Sequence, residues 1–405
     1  MQATARPDHF FGLERLLSPL TTREFLDGYR EQKHLLIQRD DALYFDELLT
    51  LADLDHVLSV SNFKADNTRI VIDGNETPIA DLLGSDGNDR SNALEKVYSH
   101  FRQGKTIIIN GLHERWEPLA RMARTLSNTA NLDPQINIYL TPAGSKGFKA
   151  HYDTHDVFIA QAHGSKTWRL YQGPIELPLQ SQPWDRSLTV PDTPIDEFTL
   201  HAGDILYLPR GILHEGAANT ETSMHITIGL HPTLWSTVIK RSIGQVFEEN
   251  IEFRRALPPT YTVDASAQDY AQKELGVLAQ LLCEKLVESG PISSSVRNAM
   301  VNTRYPGLRG HLLDLDRRPK LALTTPVRRR IDVPVYLHTD SSETVSLSFH
   351  GKSVDFPSGV QREIQFILNS DGSDFTAETI GGSLDDESRV ILVESLLTEG
   401  LLTHA

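Results

Sequence analysis

The sequence predicts an α+β protein built around a curled, barrel-like β-sheet, with a helical region and a small mixed domain after it. Three observations carry this. Strand-like runs follow one another between residues 135 and 231, among them Val157–Gln161, Lys166–Tyr171 and Met224–Leu230, separated by turns such as Gly164-Ser165 and Ala202-Gly203-Asp204. Helical periodicity takes over from His231 to about Leu315, where Trp235–Asn250 and Ala267–Ser289 repeat apolar residues at three- and four-residue spacing. A His-x-Asp pair, His151 and Asp153, is matched 61 residues later by His214. Such a gap is natural when a sheet curls and returns a later strand beside an earlier one.

In chain order, residues 1–134 mix helices and strands. Thr22-Arg-Glu-Phe-Leu-Asp-Gly-Tyr reads as a helix capped by Thr21 or Thr22. The Gly-, Asp- and Asn-rich stretch 73–92 reads as a surface loop. Lys105–Asn110 is a β-branched strand ended by Gly111, and Trp116–Leu132 an amphipathic helix. Residues 135–231 form the β core. Within it the Pro-rich excursion Gly173–Pro194 fits a lid, a substrate-binding loop or an inert insertion equally well. Residues 232–318 are helical. Residues 319–405 read as a separate domain: strands at Val333–His338, Val345–Phe349 and Lys352–Phe356 precede a helix, Asp386–Glu399, that ends at Gly400. A winged-helix fold fits that order.

The chemistry is concentrated in the core. In a strand, residues i and i+2 share a side, so His151 and Asp153 project together and Tyr152 points away. Pro209-Arg-Gly211 turns the chain and delivers His214. Two histidines and one carboxylate on one face of a metal leave coordination positions open, the arrangement of non-haem Fe(II) oxygenases. A His-x-Asp pair alone is a weak signal in a chain with 16 histidines. The pair, the strand, the turn-Lys166 and the downstream Pro-Arg-Gly-x-x-His together are far more specific. Lys166 reads either as a solvated turn residue or as a cation reaching into the barrel. Asn137 and Tyr139 share a face, as do His225, Thr227 and Gly229. His163, His201 and His231 lack supporting context. His155 reads as a neighbour of the ligands or a substitute for one.

Composition narrows the function classes. The chain has 405 residues, a formal charge of −15 and one cysteine, Cys283. One cysteine excludes an intramolecular disulfide framework and suits a reducing compartment. Cys283 sits in a helical pattern and is expected to be packed. No cationic start with an apolar core marks a secretory signal, and no run of about 18 apolar residues marks a membrane span. A cytoplasmic protein is expected. The acidic balance argues against direct nucleic-acid binding and fits a basic protein substrate. The basic stretches Arg317–Lys320 and Arg328–Arg330 read as a solvated linker at a domain boundary.

The block Asn137–Tyr171, with His214 and most of the remaining chain, resembles the JmjC-type Fe(II)/2-oxoglutarate oxygenases, in particular the ribosomal oxygenase branch. Leu35–Asp40 is similar to an early strand of that branch. The resemblance implies a double-stranded β-helix (jelly-roll, cupin-like JmjC) core, a helical dimerisation region and a C-terminal winged-helix domain. It implies His151, Asp153 and His214 as ligands of Fe(II), with 2-oxoglutarate and O2 as co-substrates. It implies Lys166 as the contact of the distal 2-oxoglutarate carboxylate, with Asn137, Tyr139 and Thr227 lining that pocket. The expected activity is hydroxylation of a His or Arg side chain in a basic ribosomal protein, by a homodimer. Hydroxylation of a small peptide or amino acid, lysine demethylation, and a non-catalytic binding module are the alternatives. The intact triad and Lys166 count against the last.

Overall fold

The computed structural model describes residues 11–60, 63, 67–72, 74–78, 81, 92–130, 132–288, 307–317, 321–331, 333–339 and 343–405. The chain packs as two units, Met1–Pro232 and Thr233–Ala405.

The first unit opens with α1 (Leu13–Leu17) and α2 (Thr22–Gly28). Thr21 caps α2 reciprocally: its Oγ1 accepts from the Glu24 N–H at 3.2 Å, and Glu24 Oε2 accepts from the Thr21 N–H at 2.9 Å. Then come β1 (Leu35–Ile37), α3 (Leu51–Val60), the hairpin β2 (Thr68–Ile72) and β3 (Asn75–Glu76), α4 (Ala93–Arg102), β4 (Thr106–Ile109) and α5 (Glu117–Ala130). The core strands are β5 (Leu132–Thr141), β6 (Asp156–His163), β7 (Ser165–Tyr171), β8 (Asp196–His201), β9 (Ile205–Leu208), β10 (Leu213–Ala218) and β11 (Ser223–Pro232).

These strands form two sheets. The larger runs β1-β9-β6-β11-β5-β4-β2-β3 and the smaller β10-β7-β8. Period-two alternation assigns the faces of the larger sheet. Phe158, Ala160, Tyr207, Ile226, Ile228, Ile136 and Ile138 pack on Leu16, Leu54, Val57, Leu119 and Met122 of the helices. The intervening residues Val157, Ile159, Leu206 and Leu208 pack instead on Trp168, Leu170 and Leu200 of the smaller sheet. Strands β6 and β9 are therefore buried on both faces, which explains their near-continuous apolar runs. The sheets enclose a cavity.

The second unit holds α6 (Trp235–Glu249), α7 (Ala265–Glu288) and α8 (His311–Arg317). Its strands are β12 (Val327–Arg329), β13 (Tyr336–Thr339), β14 (Thr344–Phe349), β15 (Lys352–Pro357), β16 (Asp374–Phe375) and β17 (Leu402–His404), in two sheets ordered β16-β12-β17 and β13-β14-β15. With α9 (Gln361–Leu368) and α10 (Asp386–Thr398) they close a core of Val345, Leu347, Phe349, Ile364, Val393 and Leu396. Trp235, Ile239, Phe247, Tyr270, Leu275 and Val277 of α6 and α7 are exposed in the single chain.

Four expectations change. His151 and Asp153 do not lie in a continuous strand: His151 makes an isolated bridge to His214, and regular pairing begins at Asp156. Part of the expected loop 73–92 is the β2–β3 hairpin, with Val71 opposite Glu76; of the rest, only 74, 77, 78, 81 and 92 are described. Cys283 is exposed on α7 rather than packed. The basic run Arg328–Arg330 is matched by acids, Arg328 to Asp374 at 2.6 Å, Arg329 to Asp371 at 3.9 Å and Arg330 to Asp314 at 2.6 Å. Ser289 and 318–320 fall outside the described residues. Among the described residues no helix is long and apolar enough to cross a membrane.

Candidate metal centre and its cavity

The cavity is lined by His151, Asp153 and His214 at one side, and by Lys166, Trp168, His225, Thr227, Tyr139, Phe148 and Gly216 around them. Main-chain bonds bring the three ligand-type residues together. The His151 N–H donates to the His214 carbonyl at 3.2 Å, and the His214 N–H to the His151 carbonyl at 2.8 Å. The Gly211 N–H donates to the Asp153 carbonyl at 3.1 Å. Gly211 has φ +92°, and a Cβ there would lie 2.5 Å from the Ile175 carbonyl oxygen, so the turn before His214 requires glycine.

The imidazoles are oriented by their own backbone. His151 Nδ1 lies 2.8 Å from the Lys149 carbonyl oxygen and His214 Nδ1 lies 3.1 Å from that of Ile212. A carbonyl only accepts, so both Nδ1 atoms carry the proton and both Nε2 lone pairs are free for a metal. The ligand-type atoms of His151, Asp153 and His214 lie within 4.8 Å of one another, the one such group among the described residues. Burial, reinforced by His151, pulls the His214 pKa down to about 4, so it is neutral at physiological pH. Burial pushes the Asp153 carboxyl up, but His214 and His151 outweigh it and hold it below the ordinary value. Two imidazoles and one carboxylate suit a divalent cation.

Tyr152 points away from the cavity, as the spacing predicts. It is buried against Trp184, with ring centroids 5.4 Å apart, and its hydroxyl donates to the Gln182 carbonyl at 3.0 Å. The Gly173–Pro194 excursion is thereby fastened to the segment that carries His151 and Asp153.

Lys166 is buried and, among the described residues, no carboxylate lies within ion-pair distance of it. Desolvation alone pulls its pKa down to about 7. Its ammonium lies 5.2 Å from the Trp168 ring centroid, and without a carboxylate beside it still calls for an anion. Gly216 faces it: a Cβ there would lie 2.9 Å from Lys166 Cε and 3.1 Å from the Trp168 ring.

Of the other sequence-marked residues, Tyr139 and Thr227 line the cavity. Burial raises the Tyr139 pKa, so its hydroxyl stays protonated. Asn137 is not among the lining residues, because its Oδ1 accepts from the Gly111 N–H at 3.0 Å and supports that left-handed turn. His155 lies outside the three-residue group, with its ring 4.4 Å from that of His231. His163 and His201 are exposed. Sequence reasoning assigned no role to His225 or Trp168. His225 stacks on Tyr139 at 4.8 Å and meets Trp168 edge-on at 5.6 Å. Both were available from the period of two, at i−2 from Thr227 and i+2 from Lys166.

A helix-backed larger sheet, a smaller sheet and a His-Asp-His cluster between them define a class, and residues 112–238 match the family model described as JmjC domain. The chain is 31% identical over 315 residues to Ribosomal oxygenase 2 of Rattus norvegicus, across 74% of this chain and 65% of that protein. It is 29% identical over 332 residues to a Dictyostelium discoideum protein named Bifunctional lysine-specific demethylase and histidyl-hydroxylase NO66, across 76% of this chain and 62% of that protein. The chain thus spans a little under two thirds of the length of these relatives. Among solved structures, E. coli ycfD aligns with a TM-score of 0.60 at 19% identity, over 95% of this chain and 98% of that one. A structure of E. coli YcfD, described as a ribosomal oxygenase in complex with cobalt and 2-oxoglutarate, aligns with a TM-score of 0.57 at 17% identity, over the same shares. These alignments show the fold that the chain shares with the E. coli protein.

Proposed function

We propose that this protein is an Fe(II)- and 2-oxoglutarate-dependent oxygenase that hydroxylates a protein side chain, a His or Arg of a ribosomal protein. The observation that carries the reading is the pairing of two features in one cavity: the His151–Asp153–His214 group with both imidazole Nε2 atoms free, and a buried Lys166 without a carboxylate partner. A dicarboxylic keto acid answers both, one end at a metal and the other at the ammonium. Fe(II), when bound, supplies the oxidising power with 2-oxoglutarate and O2. His151, Asp153 and His214 hold it while leaving positions free. Lys166 neutralises the distal carboxylate, with the Tyr139 hydroxyl, His225 and Thr227 around it. Val157, Ile159, Phe148 and Trp168 form an apolar wall that keeps bulk water out and strengthens the ionic contact.

The substrate assignment draws on the names of the relatives, ribosomal oxygenase and histidyl-hydroxylase. The net charge of −15 favours encounter with a basic protein. The exposed apolar residues of α6 and α7 support homodimerisation through the region 232–318, and the strand–helix order of 319–405 supports a winged-helix module that contacts protein.

Intact-protein mass spectrometry of ribosomal proteins from source cells, with and without this gene, tests the substrate. One protein lighter by one oxygen in the deletion identifies it. No change in any ribosomal protein removes the ribosomal assignment. Gly216→Val tests the pocket. Its side chain would displace Lys166 and Trp168, so the KM for 2-oxoglutarate is expected to rise about tenfold or more, roughly the 1.4 kcal/mol of a damaged ionic contact. Metal affinity should be unchanged. An unchanged KM would remove Lys166 from the binding site.

A further inference from the structure

We propose that Arg210 is a positioning residue, the hub of a buried network that fixes Asp153 and His214 relative to one another; this rests on the reading of those two residues as metal ligands. Asp153 and His214 arrive on separate segments 61 residues apart. Each segment carries one member of an ion pair just behind its ligand: Asp156, three residues after Asp153, and Arg210, four before His214. Asp156 Oδ1 accepts from the Arg210 backbone N–H at 3.1 Å and from Arg210 Nη1 at 3.2 Å. Asp156 Oδ2 accepts from the Tyr207 hydroxyl at 2.7 Å.

The network closes through a third segment. Arg210 Nη1 donates to Glu31 Oε1 at 2.5 Å, and the Glu31 N–H donates to the Tyr207 hydroxyl at 3.0 Å. Glu31 holds φ +57°, an unusual conformation for a non-glycine residue, and both of its polar ends are used. Asp156, Tyr207 and Arg210 are buried, so the charges are compensated by one another rather than by water. Arg210 also leads directly into Gly211, whose N–H holds the Asp153 carbonyl. A shift of Arg210 therefore moves the turn that sets His214 and loosens the bond that sets Asp153. Metal sites are sensitive at this level, since partners that orient ligands change affinity by about 10–100-fold.

The test uses the full chain and Co(II) as probe. Arg210→Met is expected to weaken Co(II) binding about 10–100-fold and to shift the visible Co(II) absorption bands, which report ligand geometry. Arg210→Lys, which keeps the charge, should recover part of both. Glu31→Gln, which removes the negative charge beside Arg210, and Tyr207→Phe, which removes the hydroxyl that joins Asp156 to the Glu31 N–H, should give smaller shifts in the same direction. These two carry the test if Arg210→Met does not fold. Lowered melting temperatures with wild-type Co(II) affinity and bands in all folded variants would overturn the proposal and leave the network a structural staple. Failure of the wild-type chain to bind Co(II) would instead overturn the metal-centre reading itself.

Discussion

His214→Ala is expected to lose divalent-metal binding by well over a hundredfold and, with it, all turnover of 2-oxoglutarate. Removing a residue that only orients a ligand already costs about 10–100-fold, and this change deletes one of three direct donors. The fold should survive. His214 is held by main-chain bonds to His151, 3.2 and 2.8 Å long, that alanine can make equally well. The measurement is a Co(II) titration beside a thermal melt, for wild type, His214→Ala and His155→Ala. Wild-type affinity in His214→Ala, with loss in His155→Ala, would replace His214 by His155 in the cluster. Parallel loss of metal and of melting temperature in His214→Ala would mean a folding defect rather than a missing ligand.

The core was legible because its chemistry is local in sequence or obeys a strict period. Tyr139, His225, Thr227, Lys166 and Trp168 face the cavity for one reason: they sit at alternate positions of strands whose other residues pack on the helices or the outer surface. The pairing of His151 with His214 followed from the curl of the sheet. The period says which face a residue occupies, but not which partner it finds there. Asn137 shares a face with Tyr139, yet its amide is taken by Gly111, a residue 26 positions away. The Glu31–Asp156–Arg210 network was invisible for the same reason. Its members lie 179 and 54 positions apart, and no spacing rule links them. Cys283 misled because α7 leaves most of its apolar residues exposed, so helical periodicity did not mark an interior face in the single chain.

Lys166→Met is expected to move stability and binding in opposite directions. In the ligand-free protein the Lys166 amine is buried, with the Trp168 ring 5.2 Å away and, among the described residues, no carboxylate beside it, so carrying a proton there is costly, and an apolar side chain of similar length removes that cost. By analogy with buried charges replaced by apolar residues, the ligand-free chain should gain about 1–4 kcal/mol. The same change removes the cation proposed to face the distal carboxylate. Breaking a buried pair costs about 3–5 kcal/mol, or two to more than three orders of magnitude in affinity for 2-oxoglutarate. The pH dependence follows from the depressed pKa. Between about 7 in the folded chain and 10.5 when exposed, the unfolded chain holds a proton that the folded chain does not. Stability of the ligand-free wild type therefore rises with pH across that window, and the penalty is fully present below it. Bound 2-oxoglutarate favours the protonated amine, so its affinity should fall as pH rises above about 7. Calorimetry at pH 7, 8 and 9 in two buffers of different ionisation enthalpy reads both effects, the loss of affinity and a growing proton uptake. Lys166→Arg, which stays charged, should abolish the pH dependence while still binding. A flat profile in the wild type, or a destabilised Lys166→Met chain that binds 2-oxoglutarate normally, would place Lys166 outside the co-substrate site.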